Sequence, residues 1–161
     1  MKDLKQITVI GTGLLGGSLS LAVSRAEAGI KTVGYSHRDT TREKARELSI
    51  ANEISDSLQE SVSQADIVIL ATPIYTFEDI FKQISTALPR NCIVTDVGST
   101  KLMPHKWARE NLPSHCHYVG SHPIAGSEQR GREWEKDHIF DNSGCISTNP
   151  PPSDHPNIHP L

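Results

Sequence analysis

Residues 7–23, ITVIGTGLLGGSLSLAV, decide the fold. Ile7, Val9 and Ile10 read as a short buried strand, and Gly11, Gly13 and Gly16 follow as G-x-G-x-x-G. Leu15, Leu19, Ala22 and Val23 then recur at i, i+4, i+7 and i+8, one face of a helix. Strand, glycine turn and helix in this order form a dinucleotide-binding fingerprint in its required context. Gly11 allows the tight turn, Gly13 lets the backbone approach a pyrophosphate, and Gly16 lets the helix pack close to the strand. The helix N-terminus offers free N–H groups and partial positive charge to phosphates. Thr12, Leu14 and Leu15 complete the candidate cofactor loop.

Gly29 reads as a C′ stop for this helix, and residues 31–36, KTVGYS, as a second strand. In this fingerprint an acidic residue about 20 positions on accepts hydrogen bonds from the ribose 2′-hydroxyl. Here Ser36, His37 and Arg38 stand in that place. A carboxylate there repels a 2′-phosphate, whereas a hydroxyl and a guanidinium bind one. The reading is therefore NADP in preference to NAD. The competing reading makes Arg38 a solvated loop charge and Asp39 the ribose acid.

Further along, Thr40 and Glu43 have capping-box spacing ahead of a helix through Ala45 and Leu48. Ile54 fits a weak third strand, and Leu58, Val62 and Ala65 a short helix. Residues 67–71, IVILA, form a continuous apolar run of the kind covered on both faces, ended by Thr72-Pro73. Ile74, Phe77, Ile80, Phe81, Ile84 and Leu88 trace an amphipathic helix stopped by Pro89. Residues 92–97, CIVTDV, are the next strand; Gly98 to Lys101 turns into a helix holding Met103 and Trp107. Residues 117–120, HYVG, give a last strand ending at Ser121-His122-Pro123. Alternating strands and helices of this kind make an α/β, doubly wound parallel sheet, which binds ligands at the carboxyl ends of its strands. Residues 1–142 form the dinucleotide-binding domain; residues 143–161, SGCISTNPPPSDHPNIHPL, read as a proline-rich disordered or extended tail.

Composition narrows the function classes. The 36% hydrophobic and 22% charged content is that of a soluble globular protein. A net charge of −3 gives no bulk attraction to nucleic acid, and no apolar run approaches a membrane span. MKDLKQ leads straight into the first strand, without room for a signal peptide. Cys92, Cys116 and Cys145 are few and widely spaced, which fits a reduced, cytoplasmic protein. His115, Cys116 and His117 lack a second ligand pair, so no metal is assigned.

His122 is the sharpest candidate for chemistry. It stands at a strand end on the edge where a nicotinamide sits, and a neutral imidazole accepts an alcohol proton. Ser99 either orients a substrate hydroxyl or His122, or caps a helix. Lys101 reads as a phosphate or substrate contact or, more simply, as a surface lysine; Glu128 and Arg130 stay open in the same way.

VIGTGLLGGSLSLAV, ILATPI, VTDVGSTK and GSHPIAGSE together resemble the prephenate/arogenate dehydrogenases of tyrosine biosynthesis. HPIAG with the preceding DVGS-K is far more specific than the glycine motif. The resemblance covers about residues 5–142, the nucleotide-binding domain, and SHR after the second strand looks like the NADP-using, arogenate-type branch. It implies that His122 is the catalytic histidine and that Ser99 assists it near the substrate hydroxyl. It also implies that Gly11, Gly13, Gly16, Ser36 and Arg38 hold the cofactor, with Thr72 and Pro73 on the nicotinamide side. The family continues into an all-helical domain that forms the dimer and supplies cations for the substrate carboxylates. Here ISTNPPPSDHP stands where the family's next strand and turn are expected. A truncated chain is therefore expected, with activity of its own in question; the alternative is a non-catalytic NADP(H)-binding domain or pseudoenzyme remnant.

Overall fold

The structure, a computed structural model, describes residues 4–26, 29–124 and 144–148. Its sheet has seven strands in the order β3-β2-β1-β4-β5-β6-β7. β1 (Gln6–Ile10) is buried along its whole length and pairs in parallel with β2 (Lys31–Tyr35) and β4 (Ile67–Leu70). β3 (Glu53–Ile54) extends one side; β5 (Ile93–Asp96) and β6 (His117–Ile124) extend the other, all parallel. The chain reverses its direction of growth between β3 and β4, so the carboxyl ends of β1 and β4 flank the switch point where such sheets bind ligands.

β7 (Gly144–Thr148) pairs antiparallel with β6, placing His122 opposite Ile146. The sequence reading put these five residues in the tail. Cys145, Ile146 and Thr148 are strand-compatible, but one short stretch with a partner 20 or so positions away carries no periodicity to betray pairing. The rest of the proline-rich segment lies outside the described residues, as do Glu128 and Arg130.

Helix α1 (Leu14–Arg25) differs from expectation in the face it buries. Gly16, Gly17, Ser18 and Ser20 are buried, while Leu14 and Leu15 are exposed. Small residues win because the helix lies almost on the strand and turn, with no room for leucine. A Cβ on Gly16 would stand 2.0 Å from the Gly11 carbonyl oxygen. Gly29 has a left-handed φ of +65°, yet α1 already ends at Ala26, so Gly29 shapes the approach to β2 and is not the C′ residue.

Helix α2 (Asp39–Glu47) starts from Arg38, and Thr40 lies inside it, so the expected capping box does not form. Helix α3 (Leu58–Val62) is capped by the Ser57 hydroxyl, which accepts from the Glu60 N–H. A 3₁₀ turn (Ile74–Thr76) leads into α4 (Phe77–Ile84), which buries Phe77, Ile80, Phe81 and Ile84. α4 stops before Leu88 and Pro89, because Pro89 disfavours helix for the residue ahead of it and a turn intervenes. Phe81 meets Phe77 at 6.2 Å and Tyr118 edge-on at 5.6 Å, joining α4 to β6. Each such buried side chain contributes about 1.5–3 kcal/mol through apolar burial.

β4 and β5 are not covered equally on both faces. Val68, Leu70, Val94 and Asp96 are buried towards α4 and α5 (Leu102–Asn111), whereas Ile67, Ile69, Ile93 and Thr95 on the opposite face are partly exposed among the described residues. The continuous apolar run at 67–71 therefore reports full cover more strongly than the described structure provides it.

His105 on α5 lies edge-on to Tyr118 at 5.0 Å, and its Nε2 is 3.0 Å from the Thr148 hydroxyl of β7. Burial pushes its pKa below the ordinary value; Asp96 opposes that shift, while Lys101 and Arg109 add to it. The unfolded chain therefore takes up this proton at about pH 6.5, before the folded chain does. Stability from His105 is complete above that pH and is lost as the pH falls towards the depressed folded value. Urea midpoints at pH 7.5 and pH 5.5 should show the acid loss, and His105→Gln should flatten it.

Candidate functional site

Three loops at the carboxyl edge of the sheet build the site. The first is the turn after β1. Gly11 has φ +98°, a conformation L side chains avoid, and its missing Cβ would meet the Ala71 carbonyl group at 2.8 Å. Gly13 is different: nothing lies within 4 Å of where its Cβ would be. The turn is thus closed against the sheet at Gly11 and Gly16 and open to the outside at Gly13, at the N-terminus of α1. That opening, beside unpaired helix N–H groups, fits a pyrophosphate.

The second is the end of β2. The Ser36 hydroxyl accepts from the Thr12 N–H at 3.0 Å and lies 2.6 Å from the Thr12 hydroxyl; both side chains are buried. Ser36 therefore pins the glycine turn to β2, where the sequence reading gave it a direct phosphate contact. His37 and Arg38 are exposed beside it. Asp39, the competing ribose acid, instead pairs with Arg42. Arg42 is buried, donates to the Ser36 carbonyl at 2.6 Å and to Asp56 at 3.0 Å, and lies over the Tyr35 ring. Sequence reasoning missed Arg42; its only signal was a charged residue on the inner face of α2.

The third comprises the ends of β4, β5 and β6. Thr72 touches Gly11, and its hydroxyl accepts from Thr76 at 2.9 Å; Pro73 is exposed at the rim. His122 lies within β6, two residues from its end, and was expected just beyond the strand. Its Nδ1 is 3.2 Å from the Gly98 carbonyl oxygen in the β5–α5 loop. Ser99 is exposed in the same loop; it does not cap α5, whose N-cap residue is Lys101 without a capping side-chain bond.

Behind His122 is a polar cluster whose roles the sequence did not reveal. Asp96 is fully buried. Its carboxylate accepts from the Gly98 N–H at 2.7 Å, from the Lys101 ammonium and from the Tyr118 hydroxyl. Burial first, and then the hydrogen bond to Asp96 and its charge, push the Tyr118 phenol far above its ordinary pKa, so it stays a donor. Lys101, expected at the surface, has a side chain only 16% exposed and also donates to the Gly98 carbonyl at 2.8 Å. An acid inside an apolar strand was the available signal, since a buried carboxylate requires donors.

Among the described residues no group of three or more His, Cys, Asp or Glu side chains is placed to hold a metal, and no helix is long and apolar enough to cross a membrane.

The sequence of the chain matches the family described as "Prephenate dehydrogenase, nucleotide-binding domain" over residues 19–159. It belongs to that family. Members of the prephenate dehydrogenase family are oxidoreductases. The chain is 34% identical to a prephenate dehydrogenase of Bacillus subtilis over 149 residues, covering 92% of this chain and 40% of that protein. It is 31% identical to a cyclohexadienyl dehydrogenase of Zymomonas mobilis, covering 92% and 50%. Among solved structures, prephenate dehydrogenase from A. aeolicus in complex with hydroxyphenyl propionate and NAD+ superposes with a TM-score of 0.80 at 30% identity, covering 92% of this chain and 51% of that one. Synechocystis arogenate dehydrogenase gives 0.75 at 30% identity, with coverage of 89% and 49%. The chain thus spans about half the length of the prephenate dehydrogenase relatives it matches. The Rossmann-like fold expected from the glycine turn is the fold of these relatives.

Proposed function

We propose that this chain is the cofactor half of an NADP-dependent arogenate or prephenate dehydrogenase, catalysing oxidative decarboxylation in tyrosine biosynthesis in the cytoplasm. The observation that carries the reading is His122 on the sheet's ligand edge, with Nδ1 tied to the Gly98 carbonyl. A carbonyl only accepts, so the neutral imidazole keeps its proton on Nδ1 and offers the Nε2 lone pair. His122 accepts the proton of the substrate's ring hydroxyl at Nε2. A bound nicotinamide would supply the hydride acceptor for the ring carbon that bears this hydroxyl. The ring carboxylate then leaves as CO₂, and aromatisation drives the step, so the protein has only to position reactants and manage one proton. The glycine loop, residues 11–16, binds the pyrophosphate; Thr72 and Pro73 face the nicotinamide side; Ser99 helps to orient the substrate hydroxyl. The NAD+ in the A. aeolicus relative supports a nicotinamide cofactor.

For cofactor choice, Arg38 with His37 carries the 2′-phosphate, since Ser36 is committed to Thr12. One charge-assisted bidentate contact contributes roughly 1.5–3 kcal/mol, or about 10- to 150-fold. Titration calorimetry should show NADP+ bound tighter than NAD+ by that factor, and Arg38→Ala should bring the two together. Equal affinities in the unaltered chain would rule the preference out.

The functional test is NADPH formation from L-arogenate and from prephenate, by the chain alone and by the chain joined after Thr148 to a related helical domain. In the resembling family that domain supplies cations for the two substrate carboxylates and makes the dimer. Turnover only in the joined form is the expected result. NADP(H) binding with no turnover in either form would favour the second reading, a non-catalytic NADP(H)-binding domain.

A further inference from the structure

We infer that the buried Asp96–Lys101 pair, braced by Tyr118, is a positioning device that sets the tautomer of His122. The inference rests on the proposed role of His122 for its catalytic meaning, but its structural content stands apart from that role.

The β5–α5 loop, residues 97–101, carries the carbonyl that meets His122 Nδ1, that of Gly98. Asp96 closes this loop from both ends. Its carboxylate takes the Gly98 N–H at 2.7 Å near the start and the Lys101 ammonium at the finish. Lys101 then reaches back to the Gly98 carbonyl at 2.8 Å. Peptide N–H and peptide C=O of the same residue are thereby both held by one ion pair. The Tyr118 hydroxyl occupies the other carboxylate oxygen, and Ser121, next to His122, donates to the Asp96 main-chain oxygen. Thr95 in turn donates to the Ser121 hydroxyl at 3.1 Å. β5, the loop and β6 are therefore cross-linked around the histidine on both sides.

A loop needs no such arrangement to fold. Burying a carboxylate and an ammonium has a desolvation cost that an apolar pair of similar shape would avoid, often at no loss of stability. What the pair provides here is direction: it aims a carbonyl at Nδ1. An imidazole in water exchanges freely between its tautomers, and only one leaves Nε2 open to a substrate hydroxyl. The ammonium on the Gly98 oxygen also prevents that carbonyl from turning away to another donor.

The test reads the tautomer directly. Long-range ¹H–¹⁵N correlation spectra of the ¹⁵N-labelled chain, recorded near pH 8 without cofactor or substrate, separate a protonated from an unprotonated ring nitrogen; His122→Asn assigns the signal. The expected wild-type result is protonated Nδ1 and bare Nε2. The double variant Asp96→Asn with Lys101→Met removes both charges together and leaves no uncompensated ion. It should show both tautomers of His122 in exchange. In the joined, catalytically complete form the same variant should lose about 10- to 100-fold in kcat, the scale seen when an outer partner that orients a histidine is removed. KM should change little. If the double variant does not fold, Lys101→Gln, which fills the space without charge, is read in the same way. A protonated Nε2 in the wild type overturns the inference, as does a single unchanged Nδ1–H tautomer in the folded variant. A dehydrogenase assay that fails while the tautomer behaves as stated removes the functional reading alone.

Discussion

His122→Asn should lower kcat by about 10²- to 10⁴-fold in the catalytically complete form, the usual effect of deleting a general base. Asparagine is close to histidine in size and can still donate to the Gly98 carbonyl, so the local fold should hold. What disappears is a lone pair able to take the ring-hydroxyl proton as hydride departs. NADP+ affinity should stay within a few-fold, because His122 is on β6 and the phosphate turn follows β1, three strands away in the sheet order. Ser99→Ala should be milder, since it removes an orienting hydroxyl and no proton acceptor. Steady-state kinetics beside cofactor titration would decide. Near-normal turnover by His122→Asn would exclude His122 as the base, and equal losses in kcat and cofactor binding would point to general damage.

The second large effect is expected at Gly16. An alanine methyl there would be 2.0 Å from the Gly11 oxygen, 3.0 Å from Val9 and 3.1 Å from Ala71. Main chain is the nearest obstacle, so no rotamer change relieves the clash; α1 must move off the strand. Overpacking of a well-packed core costs about 1–3 kcal/mol, with a collision against backbone at the upper end. In a chain of this size, 3 kcal/mol lowers Tm by roughly 6–12 °C. Cofactor affinity should fall as well, because the displaced helix carries away the N–H groups proposed to hold the pyrophosphate. Gly13→Ala is the matched control. With open space at that position, its melting temperature should hardly move while cofactor affinity drops. A Gly16→Ala chain that melts and binds like the wild type would mean that the helix does not sit as close to the strand as described.

The sequence disclosed the sheet because parallel strands and glycine turns leave local signatures. Ile7 to Ile10 and the apolar run at 67–71 needed no partner to be recognised, and they settled the strand alternation. The face of α1 was misread because periodicity weighs hydrophobicity, whereas contact distance chose Gly16, Gly17 and Ser20. β7 was lost for a related reason: its identity is a long-range pairing, and its five residues carry no pattern. At the candidate site, residue types singled out His122 and the glycine turn. They did not show that Ser36 faces Thr12, or that Lys101 folds back on Asp96, because both facts depend on side-chain direction in loops. A lysine in a polar stretch is exposed more often than not, and only a buried acid five residues earlier reverses that expectation.

The antiparallel seal of β7 on β6 has a consequence for how the chain is made. Synthesis delivers β1, β2 and the rest of the parallel sheet first, each strand joining a neighbour already present or soon to arrive. β6 is the last of the parallel strands to wait for a neighbour. From the moment it docks on β5 until residue 148 leaves the ribosome, its outer row of N–H and C=O groups has no partner in this sheet. That row belongs to the strand carrying His122. A nascent chain stalled in this interval leaves unpaired the five residues Gly120 to Ile124 that β7 later covers, the kind of template on which strands of other chains assemble. Arrested nascent chains released after residue 124 should therefore aggregate more readily than those released after residue 148, and the difference should track protection of the β6 amides.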